Sequence, residues 1–107
     1  FQDTYGWITF RMGNVEEALE YLEPAAAALT ENAAVQYHLA RAYEGADQFD
    51  AALAQYQRAF DLWQDADNPI AVRARDDFAA FEAKRAAAEA AAEAEAIETP
   101  ALEPVTD

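Results

Sequence analysis

Two stretches of sequence decide the fold: residues 13–22, Gly-Asn-Val-Glu-Glu-Ala-Leu-Glu-Tyr-Leu, and residues 47–56, Asp-Gln-Phe-Asp-Ala-Ala-Leu-Ala-Gln-Tyr. They align without a gap when residue 18 is placed on residue 52, so the Ala-Leu pair at 18–19 meets the Ala-Leu pair at 52–53. Repetition at a fixed period of about 34 residues, which we call the repeat interval, indicates a chain built from one recurring unit of two elements.

The composition around these stretches is helical. The chain has three glycines and four prolines, and alanine, glutamate, leucine and glutamine fill most positions. No segment alternates apolar and polar residues with the period of two that a strand requires. Pro24 lies inside one helical segment, where it predicts either a kink or a break. The predicted helices cover residues 3–12, 15–29, 33–45, 48–63 and 69–97.

Capping residues support these boundaries. Asn14 with Glu17 forms a capping-box pattern at the start of the second helix. Asp47 is expected to cap the fourth helix. Asn68 stands directly before Pro69, which predicts a helix that begins at this proline.

The paired helices resemble the tetratricopeptide repeat family. The first copy of the pattern runs through Tyr5-Gly6-Trp7, residues 13–22 and Ala25, and the second through residues 37–43, residues 49–53, Tyr56 and Ala59. The resemblance implies an all-α solenoid of antiparallel helix pairs, in which small residues let paired helices approach and large ones fill the gaps. Thr30 and Gln64 stand where the family usually closes a repeat with proline.

Five segments follow from this pattern. The helix after the second repeat is expected to close the solenoid, with Ile70, Ala74, Phe78 and Phe81 on its packed face and Arg73, Asp76, Asp77 and Lys84 in solvent. We expect further repeats to precede Phe1. The segments are a truncated first repeat at residues 1–32, a second at 33–66, a capping helix at 67–85, an Ala/Glu-rich helical extension at 86–98 and an extended tail at 99–107.

The charge excludes several classes of partner. Seven Lys and Arg stand against 21 Asp and Glu, a net charge of −14, which argues against binding to nucleic acid or to an anionic membrane surface. The chain has no cysteine. It shows no signal-peptide pattern and no apolar run near the ~18 residues of a membrane span. We therefore expect a soluble fragment whose compartment the sequence leaves open, similar in its Ala-, Asp- and Arg-rich composition to bacterial members of the family.

No motif predicts catalysis, a metal or a cofactor. His38, the one histidine, has no orienting partner among its chain neighbours, so a structural or solvent-facing role is expected. The adjacent pairs Glu16-Glu17 and Asp76-Asp77 point in different directions on a helix and are interpreted as solvated faces. Residues 65–68 lack the glycine and the closing glutamate of a calcium loop. We expect no enzyme.

A candidate binding surface follows from the repeat. Trp7, Arg41 and Arg75 follow one another at the repeat interval, and in the family that this chain resembles, the first helix of each pair lines a concave groove. The alternative is that Trp7 packs under a preceding repeat while the arginines balance the negative charge. The expected neighbours of the row are Asp3, Phe10, Tyr37, Glu44 and Phe78.

These features predict a non-catalytic interaction or scaffolding module that binds a partner peptide or helix in the groove. The partner is expected to be a protein that is either basic or presents a carboxylate, which an arginine binds in a forked geometry. Two alternatives remain: the structural end of a longer array, contacting sister repeats or an identical subunit, and a regulatory domain of a larger enzyme. Self-association through the C-terminal tail is part of the first alternative.

Overall fold

The structure, a computed structural model, describes residues 2–102 and the side chains of residues 2–96. No strand occurs in this part of the chain, which confirms the all-α prediction. The five helices are α1 (Gln2–Arg11), α2 (Val15–Ala28), α3 (Ala33–Gly45), α4 (Phe49–Leu62) and α5 (Pro69–Leu102). The bounds of the first four lie within one residue of those predicted, and α2 continues through Pro24 without a break.

The structure repeats its helix-turn geometry at the interval of the sequence repeat. α2 and α4 have 14 residues each, and α4 begins one repeat interval after α2. Before them, Gly13 has a φ of 89° and Asp47 a φ of 60°, so both residues adopt the left-handed conformation. The same backbone bond closes both turns, from Asn14 N to Thr9 O at 3.1 Å and from Gln48 N to Tyr43 O at 2.9 Å.

The caps agree only partly with the prediction. The Asn68 Oδ1 atom accepts a hydrogen bond from the Ile70 backbone N at 2.8 Å, as a capping residue before a helix should. Asn14 occupies the N-cap of α2 without a side-chain hydrogen bond to the helix. The predicted cap at Asp47 is wrong, because Asp47 forms the left-handed turn and Gln48 takes the N-cap position.

The helices pack in chain order, and the odd-numbered helices also contact one another. Each helix contacts the next, and further contacts join α1 to α3 and α3 to α5. Within residues 2–102, α2 and α4 make no corresponding contact. The odd-numbered helices therefore form one continuous layer, and all eight predicted groove residues belong to these three helices.

Two clusters of buried side chains form the core. The first joins α2 to α3, and Gly6 of α1 lies so close to it that a Cβ atom at Gly6 would stand 2.7 Å from Leu22 Cγ. Gln36 is buried between these helices, and its Nε2 atom donates to the carbonyls of Ala26 at 3.1 Å and Leu29 at 3.0 Å. The second cluster joins α3, α4 and α5 and contains Tyr37, Ala40, Ala52, Tyr56, Ala59, Ala74 and Phe81.

α5 is one continuous helix through the predicted capping helix and the Ala/Glu-rich extension. It continues to Leu102, so the predicted extended tail is wrong for residues 99–102. Alanine and glutamate make up most of residues 86–98. They are strong helix formers, and adding residues to an existing helix costs little, so the helix is unbroken through this extension. The predictions for residues 103–107, including self-association through the tail, and for Phe1 lie outside the described residues.

Candidate partner-binding groove

On the α1 side of the candidate groove, the side chain of Trp7 packs against the imidazole of His38 in α3. The Trp7 ring stacks on the His38 ring with centroids 4.2 Å apart and an interplanar angle of 17°. It also stacks on Phe10 at 5.4 Å and meets Tyr37 at 5.8 Å. Trp7 is half-buried, and its contacts to α3 join the first and second helix pairs.

His38 has a partner that lies far away in sequence. Asp3 Oδ1 lies 2.7 Å from His38 Nδ1, and the two side chains are 21% and 14% exposed. Because a carboxylate accepts and does not donate, Nδ1 is the donor in the contact with Asp3. The sequence does not reveal this pair, because Asp3 and His38 are 35 residues apart and meet only when α1 packs on α3.

Arg41 is held by side chains of its own chain. Its Nη1 atom lies 3.1 Å from Glu44 Oε1, its Nε atom lies 3.6 Å from Asp77 Oδ2, and its guanidinium stands 5.5 Å from the centre of the Phe10 ring. The side chain is only partly exposed. Arg41 therefore links α3 to α1 and α5, and its guanidinium already pairs with two carboxylates of its own chain.

Two buried tyrosine hydroxyls donate hydrogen bonds to the same two carboxylates. Tyr56 donates to Glu44 Oε1 at 2.8 Å, and Tyr37 donates to Asp77 Oδ2. Burial, together with the bonded carboxylates, raises the pKa of both tyrosines above their ordinary value. Asp77 is thus a structural link between α3 and α5, and the prediction that Asp76 and Asp77 form a solvated face is wrong for Asp77.

The structure does not bring Arg75 and Phe78 to this surface. Arg75 Nη2 donates to the Ala66 carbonyl at 2.7 Å. Both residues line a separate, mainly apolar depression of about 490 Å³, together with Phe60, Trp63, Ala66 and Ala71. The predicted row Trp7, Arg41 and Arg75 is therefore not reproduced at its third position.

A difference in loop length explains why Arg75 and Phe78 lie away from the predicted row. The loop between α2 and α3 has residues 29–32, whereas the loop between α4 and α5 has residues 63–68. Two extra residues rotate every following helical position by about 200° relative to the register of the repeat. Arg73, predicted to lie in solvent on the far face of the closing helix, consequently lies beside Tyr37.

The open part of the groove is a pocket of about 300 Å³ between α1, α3 and the start of α5. Arg73 is exposed at this pocket and close enough for its charge to act on the Tyr37 hydroxyl. No hydrogen bond or ion pair engages its guanidinium in the described part of the chain. The lining residues are Trp7, Tyr37, His38, Pro69, Ile70 and Arg73.

No protein-family model, curated protein or solved structure matches the chain. Within residues 2–102, no helix is both long and apolar enough to cross a membrane. Among the side chains of residues 2–96, no group of three or more histidine or acidic residues is placed to hold a metal ion.

Proposed function

We propose that this chain is a non-catalytic interaction module of the tetratricopeptide type, which binds a segment of a partner protein in the groove between α1, α3 and α5. The repeated turn at residues 13 and 47 and the equal lengths of α2 and α4 support the family assignment. The contacts among the odd-numbered helices support a curved array in which these helices lie on the inner side.

The pocket at Trp7, His38 and Arg73 is the observation that carries the proposal. Tryptophan and arginine are enriched among the residues that dominate binding energy at protein interfaces. Ile70, which is exposed, adds an apolar wall next to them. A free guanidinium beside aromatic rings suits a segment that inserts an apolar side chain and presents a carboxylate beside it.

The other charged groups of the groove are already paired. Asp3 contacts His38, and Glu44 and Asp77 contact Arg41. Although the whole chain carries a charge of −14, Arg73 is, apart from His38, the one ionisable residue with a charge among those that line the pocket. The groove therefore favours a partner segment with a local negative charge, which is the carboxylate alternative among those that the sequence allowed.

The test is a selection from a random peptide library displayed on phage, followed by titration of a selected synthetic peptide into the protein. Trp63→Phe leaves Trp7 as the single tryptophan, because the chain has two. Peptide in the groove should change the emission of Trp7, and Arg73→Gln should weaken binding by about tenfold or more.

Arg11→Gln is the matched control, since Arg11 is also exposed but lies at the end of α1. It should leave the affinity unchanged. The proposal fails if selection yields no binding peptide, if Trp7 emission does not respond, or if the two arginine variants weaken binding equally.

A further inference from the structure

A depression between α4 and α5 lies apart from the proposed groove. Its volume is about 490 Å³ and its walls are mainly apolar. The Phe60 ring meets the Phe78 ring edge-on with centroids 5.4 Å apart, and its centroid lies 6.1 Å from that of Trp63. Small-molecule sites have volumes of about 300–1,000 Å³. The residues that line this α4–α5 depression are Phe60, Trp63, Ala66, Ala71, Arg75 and Phe78.

The internal repeat shows that the corresponding place between α2 and α3 is filled. When the two extra loop residues are counted, Ala71 and Arg75 of α5 stand where Val35 and Leu39 stand in α3. Val35 and Leu39 are 2% and 3% exposed, and they belong to a core cluster whose buried members all come from α2 and α3. The counterpart of the depression is therefore packed core.

Differences in side chains leave the space open between α4 and α5. Ala71 is smaller than valine, and Arg75 is exposed, with its Nη2 atom donating to the Ala66 carbonyl at 2.7 Å. Phe60 and Phe78 are larger than the alanines at the corresponding positions of the first pair, and they are only partly buried against the second core cluster. The depression is thus a property of the residues of α4 and α5 themselves.

Arg75 supplies the charge of the depression, since it is the one charged residue among those that line it. Among the side chains of residues 2–96, no carboxylate pairs with Arg75, whereas Arg41 and Arg85 each contact two. The bond to the Ala66 carbonyl leaves further N–H donors of the guanidinium available, and such donors bind a carboxylate in a forked geometry. The site therefore fits an apolar body with a carboxylate at one end.

We propose that the α4–α5 depression binds a small molecule that has an aryl or alkyl body and one carboxylate. The body lies among the rings of Phe60, Trp63 and Phe78, and the carboxylate pairs with Arg75. Because the space corresponds to a few core side chains of the first helix pair, it holds one small molecule rather than an extended protein segment. The site is separate from the groove and does not rest on the proposed function.

The probe is phenylbutyrate, and its matched controls are the neutral phenylbutanamide and the cationic phenylbutylamine, which share its apolar body. Binding to the whole chain is followed in proton–nitrogen correlation spectra, in which each of the two tryptophans gives one indole signal. Trp63→Phe identifies the signal of Trp63 by its loss. In millimolar titrations, phenylbutyrate should shift this signal and bind about fivefold or more tightly than either control.

The charge variant is Arg75→Gln, and its matched control is Arg58→Gln. Arg58 is also exposed, and its Nη2 atom also donates to a loop carbonyl, that of Thr30 at 2.7 Å. Arg75→Gln should weaken phenylbutyrate about fivefold or more and leave the amide unchanged, so that the preference for the carboxylate is lost. Arg58→Gln should leave the affinity for both compounds unchanged.

The filling variant Ala71→Val/Arg75→Leu gives α5 the residues that close the first pair. It should abolish binding of the acid and of the amide alike, because the apolar body has no room. Ala71→Val alone should weaken both compounds and keep the preference for the acid, since Arg75 is retained. Circular dichroism of each variant checks that its helices are intact.

Several results would overturn the proposal. They are an unshifted Trp63 signal, equal affinity for acid and amide in the unaltered chain, equal weakening by Arg75→Gln and Arg58→Gln, and unchanged binding by Ala71→Val/Arg75→Leu. Tighter binding of a tripeptide that ends in phenylalanine would assign the site to the end of a protein chain. A shift of the Trp7 signal alone would place the ligand in the groove, so the two sites are tested separately.

Discussion

Replacement of Gly6 by alanine tests the close packing of α1 on α2. A Cβ atom at this position would lie 2.7 Å from Leu22 Cγ and 3.2 Å from Tyr21 Cβ. Leu22 is fully buried, and its Cγ atom is a branch point near the backbone, so rotation of the side chain's end does not remove the overlap. The helices must therefore move apart or distort.

The expected loss combines two opposing effects. Overpacking of a core costs about 1–3 kcal/mol, whereas alanine for glycine inside a helix contributes about 1 kcal/mol of stability. The net effect of Gly6→Ala is a loss of about 1 kcal/mol, which lowers the melting temperature by about 4–8 °C for a chain of this size.

Urea unfolding followed by far-UV circular dichroism measures this change. Leu22→Ala alone creates a cavity, and in Gly6→Ala/Leu22→Ala the added methyl group enters the space that Leu22 leaves. The double variant should therefore lose less stability than the two single losses predict together. The reasoning is refuted if Gly6→Ala stabilises the chain as a solvent-exposed helical position would, or if the two losses add.

Two further predictions concern a helix cap and alkaline pH. Asn68→Ala should cost about 1 kcal/mol of unfolding free energy because it removes the bond to the Ile70 backbone, and Asn14→Ala should cost less, since Asn14 makes no such bond; equal losses in urea unfolding would contradict this. Burial and the Glu23 carboxylate raise the pKa of Tyr43 to about 12, and the pKa values of Tyr37 and Tyr56 are raised as well. An unfolded tyrosine loses its proton near pH ~10, so above that pH the native state holds more protons and stability falls as pH rises toward the native pKa values. Urea unfolding at about pH 9 and about pH 11 measures this loss of stability, which Tyr43→Phe should reduce. Equal stability at the two pH values would contradict the prediction.

The sequence was sufficient to predict the helices because their signals are local. Alanine and glutamate content, the scarcity of glycine and the cap at Asn68 each act within one turn of helix. The turn at Asp47 was mispredicted for a physical reason: its backbone bonds match those at Gly13, but aspartate is also a common N-cap, and the local sequence favoured that interpretation.

The site was predicted only in part because its contacts are not local. Asp3 and His38 are 35 residues apart, and no spacing rule joins them before α1 packs on α3. The prediction of Arg75 as a groove residue assumes that the repeat interval continues into α5. The loop before α5 is two residues longer than the loop before α3. Each extra residue turns the following side chains by about 100° around the helix axis, so a different set of residues faces α3.

The position of α3 has a consequence for folding cooperativity. Among the described helices, α3 is the one that contacts all four others. If α3 opened, the α1–α2 pair and the α4–α5 pair would no longer be joined by the helix that both contact. Each pair alone would expose one of the two core clusters to water. Partial unfolding from the middle is therefore costly, whereas loss of order from either end removes contacts one helix at a time.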